Sequence, residues 1–369
     1  MIKKICVSDL NLSGGFGGEQ LVAYYLYKNL KNSYYTLPLM IYKNENFLNL
    51  PFTKIGNLFY KRNMFESLHL DGIIRRYPSF SKIISKILIK KQKPVEVLIS
   101  NSRADILLLN RLKFENLIII KHNVIKDKKH WRYYLNFLNK ITSNSKDFRI
   151  VALNTDDFIR LNKIYPNKVK LIYNGIPIKR KVNNVTEYTN KKKIIFYLGR
   201  LDETQKRVSL LIKSARYIKN NKFIILIAGK GGDTEYYKDL VKAYNLEKKI
   251  KFLSFISEAQ KSKFLKISDV FVQPSFKESF SMITLEAMSK QAIVLTTKNS
   301  GSKDLIKNGI NGFFIEPNPK KIAQVIDNIL SLPKNKKIKI KINAFESAKK
   351  FDIKFMIKKY KELIDSFSE

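Results

Sequence analysis

Two glutamates, Glu278 and Glu286, stand eight residues apart where the chain passes from a strand-like run to a helix-like run. The apolar residues 270–272 precede them, and the helical pattern begins after Ser281. If the spacing is helical, eight residues rise about 12 Å and both carboxylates point broadly the same way. The backbone N–H groups of the first helical turn then lie between them and favour an anion. Hydroxyl-rich groups on either side of an anion are the layout of a nucleotide sugar, so the segment predicts a site for one.

Two cations occupy a second loop of this kind. The apolar run 194–198 ends at Gly199, and Arg200 and Lys206 follow six residues apart. Ligands of parallel sheets bind at the carboxyl ends of the strands. Two cations at that edge can hold a diphosphate from two directions. A solvated loop is the alternative, because lysine is abundant throughout this chain.

Glycine-rich turns follow two of the predicted strands. The first, 14–18, has four glycines in five positions, and the second, 229–232, has three in four. Glycines at such turns allow a nucleotide to approach the backbone closely, although a simple strand-to-helix connection has the same composition. The first turn lacks the G-x-G-x-x-G spacing of a dinucleotide site.

His122 follows the apolar run 117–121, which directs it to the edge of a sheet where ligands bind. A single histidine is also commonly structural. No His or Cys pair has metal-ligand spacing, and there is no Asp-x-Asp motif. We therefore expect neither a metal nor another cofactor.

Strand-like and helix-like segments alternate along the chain, which predicts parallel sheets with crossover helices. In the first half, strands are expected at 2–7, 36–41, 95–100, 117–121 and 150–154, and helices near 19–31, 79–91, 131–141 and 155–164. In the second half, strands are expected at 194–198, 223–228, 251–253, 270–273, 293–296 and 312–315.

The predicted fold class is α/β, with two Rossmann-like domains of parallel sheet that face each other across a cleft. The expected boundaries are an N-terminal domain at 1–178, a linker at 179–193, a C-terminal domain at 194–348 and a final helix at 349–369. That last helix is expected to pack toward the N-terminal domain.

The composition of the 369 residues sets limits on location and partners. A single cysteine fits a reducing compartment, and no apolar stretch reaches the ~18 residues of a membrane span, so we expect a cytoplasmic protein. The net charge of +39 favours anionic partners, although drift in coding composition explains such an excess equally well. The mixed basic and aromatic segments 59–65 and 126–134 suit an anionic membrane surface or nucleic acid. For the amphipathic segment 80–91 we expect an apolar stripe that covers the sheet.

Together these motifs resemble glycosyltransferase family 4, a family of retaining enzymes with the GT-B fold. The similarity is strongest over 194–317. Glu278 to Glu286 is similar to the family's Glu-x7-Glu motif, and Gly199, Arg200 and Lys206 are similar to its phosphate clamp, with Arg207 where glycine is usual. Asn174-Gly175-Ile176, Gly301 to Ile306 and Asn308 to Phe313 also resemble family motifs, with Asp304 in place of the usual glutamate.

The resemblance implies that Glu278 contacts the donor sugar, Glu286 binds the ribose, and His122 lies near the reacting centre. The expected catalytic residues are His122, Arg200, Lys206 and Glu278. The expected donor-binding residues are Gly15, Gly17, Gly18, Gly199, Gly229, Gly231, Ser279, Phe280, Ser281 and Glu286.

The function expected from the sequence is retaining transfer of a hexose or N-acetylhexosamine from a nucleotide sugar, UDP-linked, without a metal. The acceptor would be a glycan or a lipid-linked precursor of bacterial lipopolysaccharide, capsule or other surface glycan. The enzyme would then be peripheral on the inner face of the cytoplasmic membrane. A basic nucleic-acid-binding protein is the alternative from another class, although no nucleic acid partner is expected. A GT-B enzyme of inverting or phosphorylase type is the other alternative.

Overall fold

The computed structural model describes residues 3–9, 18–40, 95–100, 114–122, 128–143, 145–178 and 192–367. The expected helix at 79–91, the segments 59–65 and 80–91, and most of the expected linker lie outside the described residues. The chain forms two compact units. The first comprises Met1–Asn174 with Lys354–Glu369, and the second comprises Gly175–Ile353.

The first unit has a parallel sheet of six described strands in the order β2-β1-β3-β4-β5-β6. The strands are β1 (Lys4–Asp9), β2 (Tyr35–Met40), β3 (Val95–Ser100), β4 (Phe114–Ile120), β5 (Asp147–Ala152) and β6 (Val169–Leu171). The described helices between them are α1 (Gly18–Leu30), α2 (Lys128–Thr142) and α3 (Thr155–Asn162).

The second unit has a six-stranded parallel sheet in the order β12-β11-β10-β7-β8-β9. Its strands are β7 (Lys193–Leu198), β8 (Phe223–Ala228), β9 (Ile250–Ser254), β10 (Val270–Gln273), β11 (Val294–Thr297) and β12 (Phe313–Ile315). Its helices are α4 (Val208–Ser214), α5 (Thr234–Ala243), α6 (Glu258–Ile267), α7 (Met282–Ser289), α8 (Ser300–Lys303), α9 (Pro319–Ser331) and α10 (Lys334–Lys349).

The central strands are buried on both faces of each sheet. β10 and β11 are buried at every position. The last four of the seven residues of β4 are leucine and isoleucine, and they are buried as well. Continuous apolar runs of this kind are typical of parallel sheets covered by helices on both sides. The two parallel sheets confirm the predicted α/β fold class.

The last helix, α11 (Ile353–Asp365), packs on the first unit although it follows the second in sequence. The Lys3 ammonium donates to the carbonyl of Ile364 at 2.9 Å, and the Tyr34 hydroxyl donates to Asp365 Oδ1 at 2.9 Å. The units divide between Asn174 and Gly175, a few residues before the boundary expected from the sequence.

Candidate functional site

The site in the second unit lies where the strand order of its sheet reverses. β7 and β10 are neighbours in the sheet, and the chain leaves β7 toward β8 on one side and β10 toward β11 on the other. A crevice forms at such a switch point, outside the carboxyl ends of the strands. The loops after the two strands meet there: Phe276 N–H donates to the Gln205 carbonyl at 2.7 Å, and Gln205 Nε2 donates to the Lys277 carbonyl at 3.2 Å.

The meeting of the loops places Lys206 against Glu278. The Lys206 ammonium lies 2.6 Å from Glu278 Oε1, and the two side chains are only 15% and 10% exposed. Gln273, fully buried at the end of β10, donates from Nε2 to the same carboxylate oxygen at 3.4 Å and to Ser275 Oγ at 3.0 Å. The cation expected to bind phosphate and the carboxylate expected to bind sugar are therefore brought together.

Arg200 lies at the edge of the same loop and is more open to solvent. Its side chain is 59% exposed, and Nη2 contacts Asp202 Oδ2 at 3.0 Å and Gln205 Oε1 at 2.8 Å. Burial acts to raise the pKa of Asp202, but hydrogen bonds from Thr204 and Gln205 and the charge of Arg200 outweigh it, so the pKa lies below its ordinary value. Arg200 is thus held by a carboxylate and keeps an accessible guanidinium edge.

The glycine-rich turn 229–232 packs directly on the loop that follows β7. A Cβ on Gly229, where φ is +132°, would lie 1.9 Å from the Gly199 carbonyl oxygen, and a Cβ on Gly231 would lie 2.0 Å from the Leu201 carbonyl oxygen. Leu201 N–H donates to the Lys230 carbonyl at 3.0 Å. These glycines are therefore required for packing of loop on loop, whatever their contact with a ligand.

Arg207 stands where the related motif has glycine, and its backbone conformation explains why glycine is usual at this position. Arg207 adopts φ 51° and ψ 45° at the start of α4, in the left-handed region that favours glycine. Its guanidinium lies 4.0 Å from the centre of the exposed Phe276 ring, a cation–π contact between the two loops.

Glu286, on α7, makes a separate ion pair. Its Oε2 lies 2.7 Å from the ammonium of Lys261 on α6, which also lies 2.9 Å from Glu258 Oε2. Burial raises the pKa of Glu286 above its ordinary value, and the charge of Lys261 works against that rise. The assumption of one helical spacing from Glu278 to Glu286 is wrong, because α7 begins at Met282 and Glu278 precedes it in a loop.

Ser279, Phe280 and Ser281 connect the two glutamates and are all buried. The Glu278 carbonyl accepts from Gly301 N–H at 2.9 Å, which holds this segment against the start of α8. Ser281 is the N-cap residue of α7, but its hydroxyl donates to Thr284 Oγ1 at 2.9 Å and makes no hydrogen bond to the helix backbone. The first-turn N–H groups of α7 are therefore not capped by that side chain.

In the first unit, His122 lies two residues after the end of β4. Its neighbour Lys121 is buried and forms an ion pair of 2.5 Å with Asp157 on α3. Burial lowers the pKa of His122 to about 3, and the charge of Lys121 acts in the same direction. His122 is thus neutral at physiological pH. Gly18 is the first residue of α1, whereas Gly15 and Gly17 lie outside the described residues.

Other motif residues have local structural roles. Asn311 Nδ2 donates to the Leu305 carbonyl at 3.0 Å, and Asn308 Oδ1 accepts from Phe314 N–H at 2.8 Å. A Cβ on Gly175 would lie 2.8 Å from Ile353 Cα, beside the bridge between Ile176 and Asp352. Asp304 ends α8 as its C-cap residue.

Sequence reasoning missed Lys261 and Gln273, which contact the two glutamates. Gln273 could have been suspected, because a buried amide directly before the motif needs a partner. Within the described ranges, the structure gathers no three His, Cys, Asp or Glu side chains that could hold a metal ion. In the same ranges, no helix is long and apolar enough to cross a membrane.

The two Rossmann-like sheets and the switch-point site define a protein of the GT-B architecture. Residues 179–347 match the family model described as "Glycosyl transferases group 1", so the similarity to that family falls in the second unit.

Two curated relatives carry glycosyltransferase names. An uncharacterized glycosyltransferase of Methanocaldococcus jannaschii is 33% identical over 178 residues, which cover 45% of each chain. The UDP-Gal:α-D-GlcNAc-diphosphoundecaprenol α-1,3-galactosyltransferase of Escherichia coli is 30% identical over 233 residues, which cover 55% of this chain and 58% of the relative. The matches thus span about half the length of these relatives.

A solved structure is similar over the whole chain. The structure of Anabaena HepE in complex with UDP and glucose has a TM-score of 0.73 and 17% identity, and the match covers 99% of this chain and 100% of that one. At this level of identity the likeness concerns the fold alone.

Proposed function

We propose that this protein is a retaining glycosyltransferase of family 4 that transfers a hexose or N-acetylhexosamine from a UDP-linked donor, without a metal ion. The observation that carries the proposal is the largely buried ion pair of Lys206 and Glu278 at the switch point of the second sheet, within the residues that match the glycosyltransferase group 1 family model. One loop supplies a cation and the other supplies a carboxylate, and both are held by the sheet at the edge where ligands of this fold bind.

In the proposed mechanism, the donor diphosphate lies against Lys206, Arg200 and the N–H groups that begin α7. Negative charge develops on the diphosphate as the bond to the sugar breaks. Fixed cations and backbone donors stabilise that charge in the transition state, which is commonly the largest contribution of a site of this kind. Lys206 has three N–H donors and Glu278 uses one, which leaves donors for phosphate oxygens.

The two glutamates would bind the hydroxyl groups on either side of the diphosphate. Glu278 would accept from the donor sugar and Glu286 from the ribose. The glycine turn at Gly199 and the turn at Gly229 and Gly231 would border the nucleotide. The acceptor is assigned to the first unit, with His122 neutral and therefore able to accept or donate a hydrogen bond.

A thermal-shift screen against nucleoside diphosphates and nucleotide sugars tests the proposal. A ligand at 100 times its dissociation constant stabilises the folded protein by about 2.7 kcal/mol. We expect UDP or a UDP-sugar to give that shift, and Glu286→Ala to abolish it. Binding by no nucleotide would refute the assignment, and a product of inverted anomeric configuration would refute retention while leaving the transferase intact.

The acceptor is proposed to be a glycan or a lipid-linked precursor of a bacterial surface glycan at the inner leaflet. Support comes from the net charge of +39 and from α2, where Tyr133 is 73% exposed among basic residues. Anionic liposomes should retain the protein at physiological salt, and neutral liposomes should not. Salt-sensitive binding of nucleic acid, without hydrolysis of any nucleotide sugar, would favour the alternative class.

A further inference from the structure

A largely buried lysine, Lys261, holds the glutamate to which ribose binding is assigned. Its ammonium lies 2.7 Å from Glu286 Oε2, and the two side chains are 18% and 15% exposed. Oε2 is closed off from solvent. The other oxygen, Oε1, is therefore the acceptor that remains for a ligand.

The backbone at Lys261 is held in place by the capped start of α6. Ser257 caps the helix: its Oγ accepts from Gln260 N–H at 3.2 Å, while Gln260 Oε1 accepts from Ser257 N–H at 2.8 Å. Lys261 follows directly in the first turn. Glu258 Oε2 also contacts the ammonium at 2.9 Å, but Glu258 is 81% exposed, so this contact holds the ammonium only weakly.

Stability alone does not account for a lysine at this position. An ion pair taken out of water loses hydration that its own attraction seldom exceeds, and well-packed apolar side chains of similar size serve stability equally well or better. Orientation is different, because an ammonium 2.7 Å from one carboxylate oxygen favours one orientation of the carboxylate in a way that an apolar neighbour cannot.

We propose that Lys261 is a positioning residue: its ammonium holds Glu286 in the orientation that accepts the ribose hydroxyls of a nucleoside diphosphate. This inference rests on the proposed function, since it takes the nucleotide site as given. It adds α6 to a site that otherwise consists of the loops after β7, β8 and β10 and helix α7.

The test compares two ligands on matched variants of the full chain. Binding of UDP and of 2′,3′-dideoxy-UDP is measured by titration calorimetry for the wild type, Lys261→Met and Lys263→Met. Lys263 lies on the same helix and is exposed, so its variant removes the same charge without touching Glu286. Lys261→Arg keeps the charge and tests for rescue.

We expect Lys261→Met to weaken UDP about tenfold, the size of one well-placed hydrogen bond to a charged group, and to weaken the dideoxy ligand less than about twofold. Lys263→Met should bind both ligands as the wild type does. Lys261→Arg should recover at least part of the preference for the ribose. A role confined to folding would weaken both ligands equally.

Equal losses for the two ligands, or no loss for either, would overturn the role of Lys261 while leaving the nucleotide site in place. Failure of the wild type to bind UDP or any other nucleoside diphosphate would overturn the proposed function, and this inference with it. The two failures are therefore distinguishable in one experiment.

Discussion

The ion pair of Lys206 and Glu278 should behave as one energetic unit, and a double-mutant cycle can measure this. The perturbations are Lys206→Met, Glu278→Gln and the double variant. Removing one partner of a buried pair costs about 3–5 kcal/mol, because the other charge is left without compensation. The two side chains retain 15% and 10% of their exposure, and Gln273 contributes a longer hydrogen bond to Glu278. We therefore expect the low end of that range, about 3 kcal/mol, for Lys206→Met.

The stability losses expected for Glu278→Gln and for the double variant depend on which charge remains in the protein. Glu278→Gln leaves a lysine whose long stem can swing toward water, so about 1.5 kcal/mol is expected. The double variant leaves neither charge and should also lose about 1.5 kcal/mol, not the sum of about 4.5 kcal/mol. The expected coupling is therefore about 3 kcal/mol, far above the 0.3–0.5 kcal/mol scatter of independent sites.

The assay is denaturant unfolding followed by a probe in the second unit, with a control cycle on the same chain. Lys349 and Glu346 form an exposed pair at 2.7 Å on α10, so Lys349→Met and Glu346→Gln should couple by no more than about 0.5 kcal/mol. If Lys206 and Glu278 couple no more strongly than this exposed pair, the reasoning from burial is refuted.

Three further predictions concern backbone and protonation. Gly231→Ala should destabilise the second unit by about 2–3 kcal/mol and remove UDP binding, because its Cβ would meet the Leu201 carbonyl. Gly232→Ala is the control, since nothing lies within 4 Å of its Cβ, and equal effects of the two substitutions would contradict the packing argument. Arg207→Gly should be more stable than Arg207→Ala by about 1 kcal/mol in thermal unfolding, because only glycine relieves the left-handed backbone; the reverse order would exclude strain there. His122 has an ordinary pKa of 6.5 that folding lowers to about 3, so its contribution to stability is present above pH 6.5 and is lost as the pH falls toward 3. Relative to His122→Asn, the wild type should lose up to about 1.4 kcal/mol of unfolding free energy per pH unit in that window. Parallel curves of unfolding free energy against pH would count against the shift.

Most strands could be predicted from sequence because β-branched runs are a local signal. The strands at 95–100, 223–228 and 270–273 have the expected bounds. β6 was missed because its three residues, Val169–Leu171, are too few to show a pattern. The start of α7 at Met282 agrees with the helical pattern expected after Ser281. The helical spacing considered for the two glutamates does not hold, because Glu278 precedes the helix in a loop.

The partners of the two glutamates could not be predicted from local sequence, because they come from distant parts of the chain. Lys206 meets Glu278 because β7 and β10 are neighbours, although 72 residues separate the two side chains. Lys261 on α6 meets Glu286 on α7, and no short-range spacing encodes that contact. Residue types and their order could therefore indicate the chemistry of the site, whereas strand order decides which charge compensates which.

Charge compensation within the site also bears on how a donor would be bound. Lys206 is already paired, so a diphosphate that approaches it would share the ammonium with Glu278 and would not meet a free cation. Because an ammonium has three donors, sharing is possible without breaking the pair. The same lysine would then orient the carboxylate assigned to the sugar and contact the phosphate assigned to leave. The two contacts would form through one side chain. A donor that lacks either the sugar or the diphosphate should therefore gain less affinity from its remaining group than that group contributes in the intact donor.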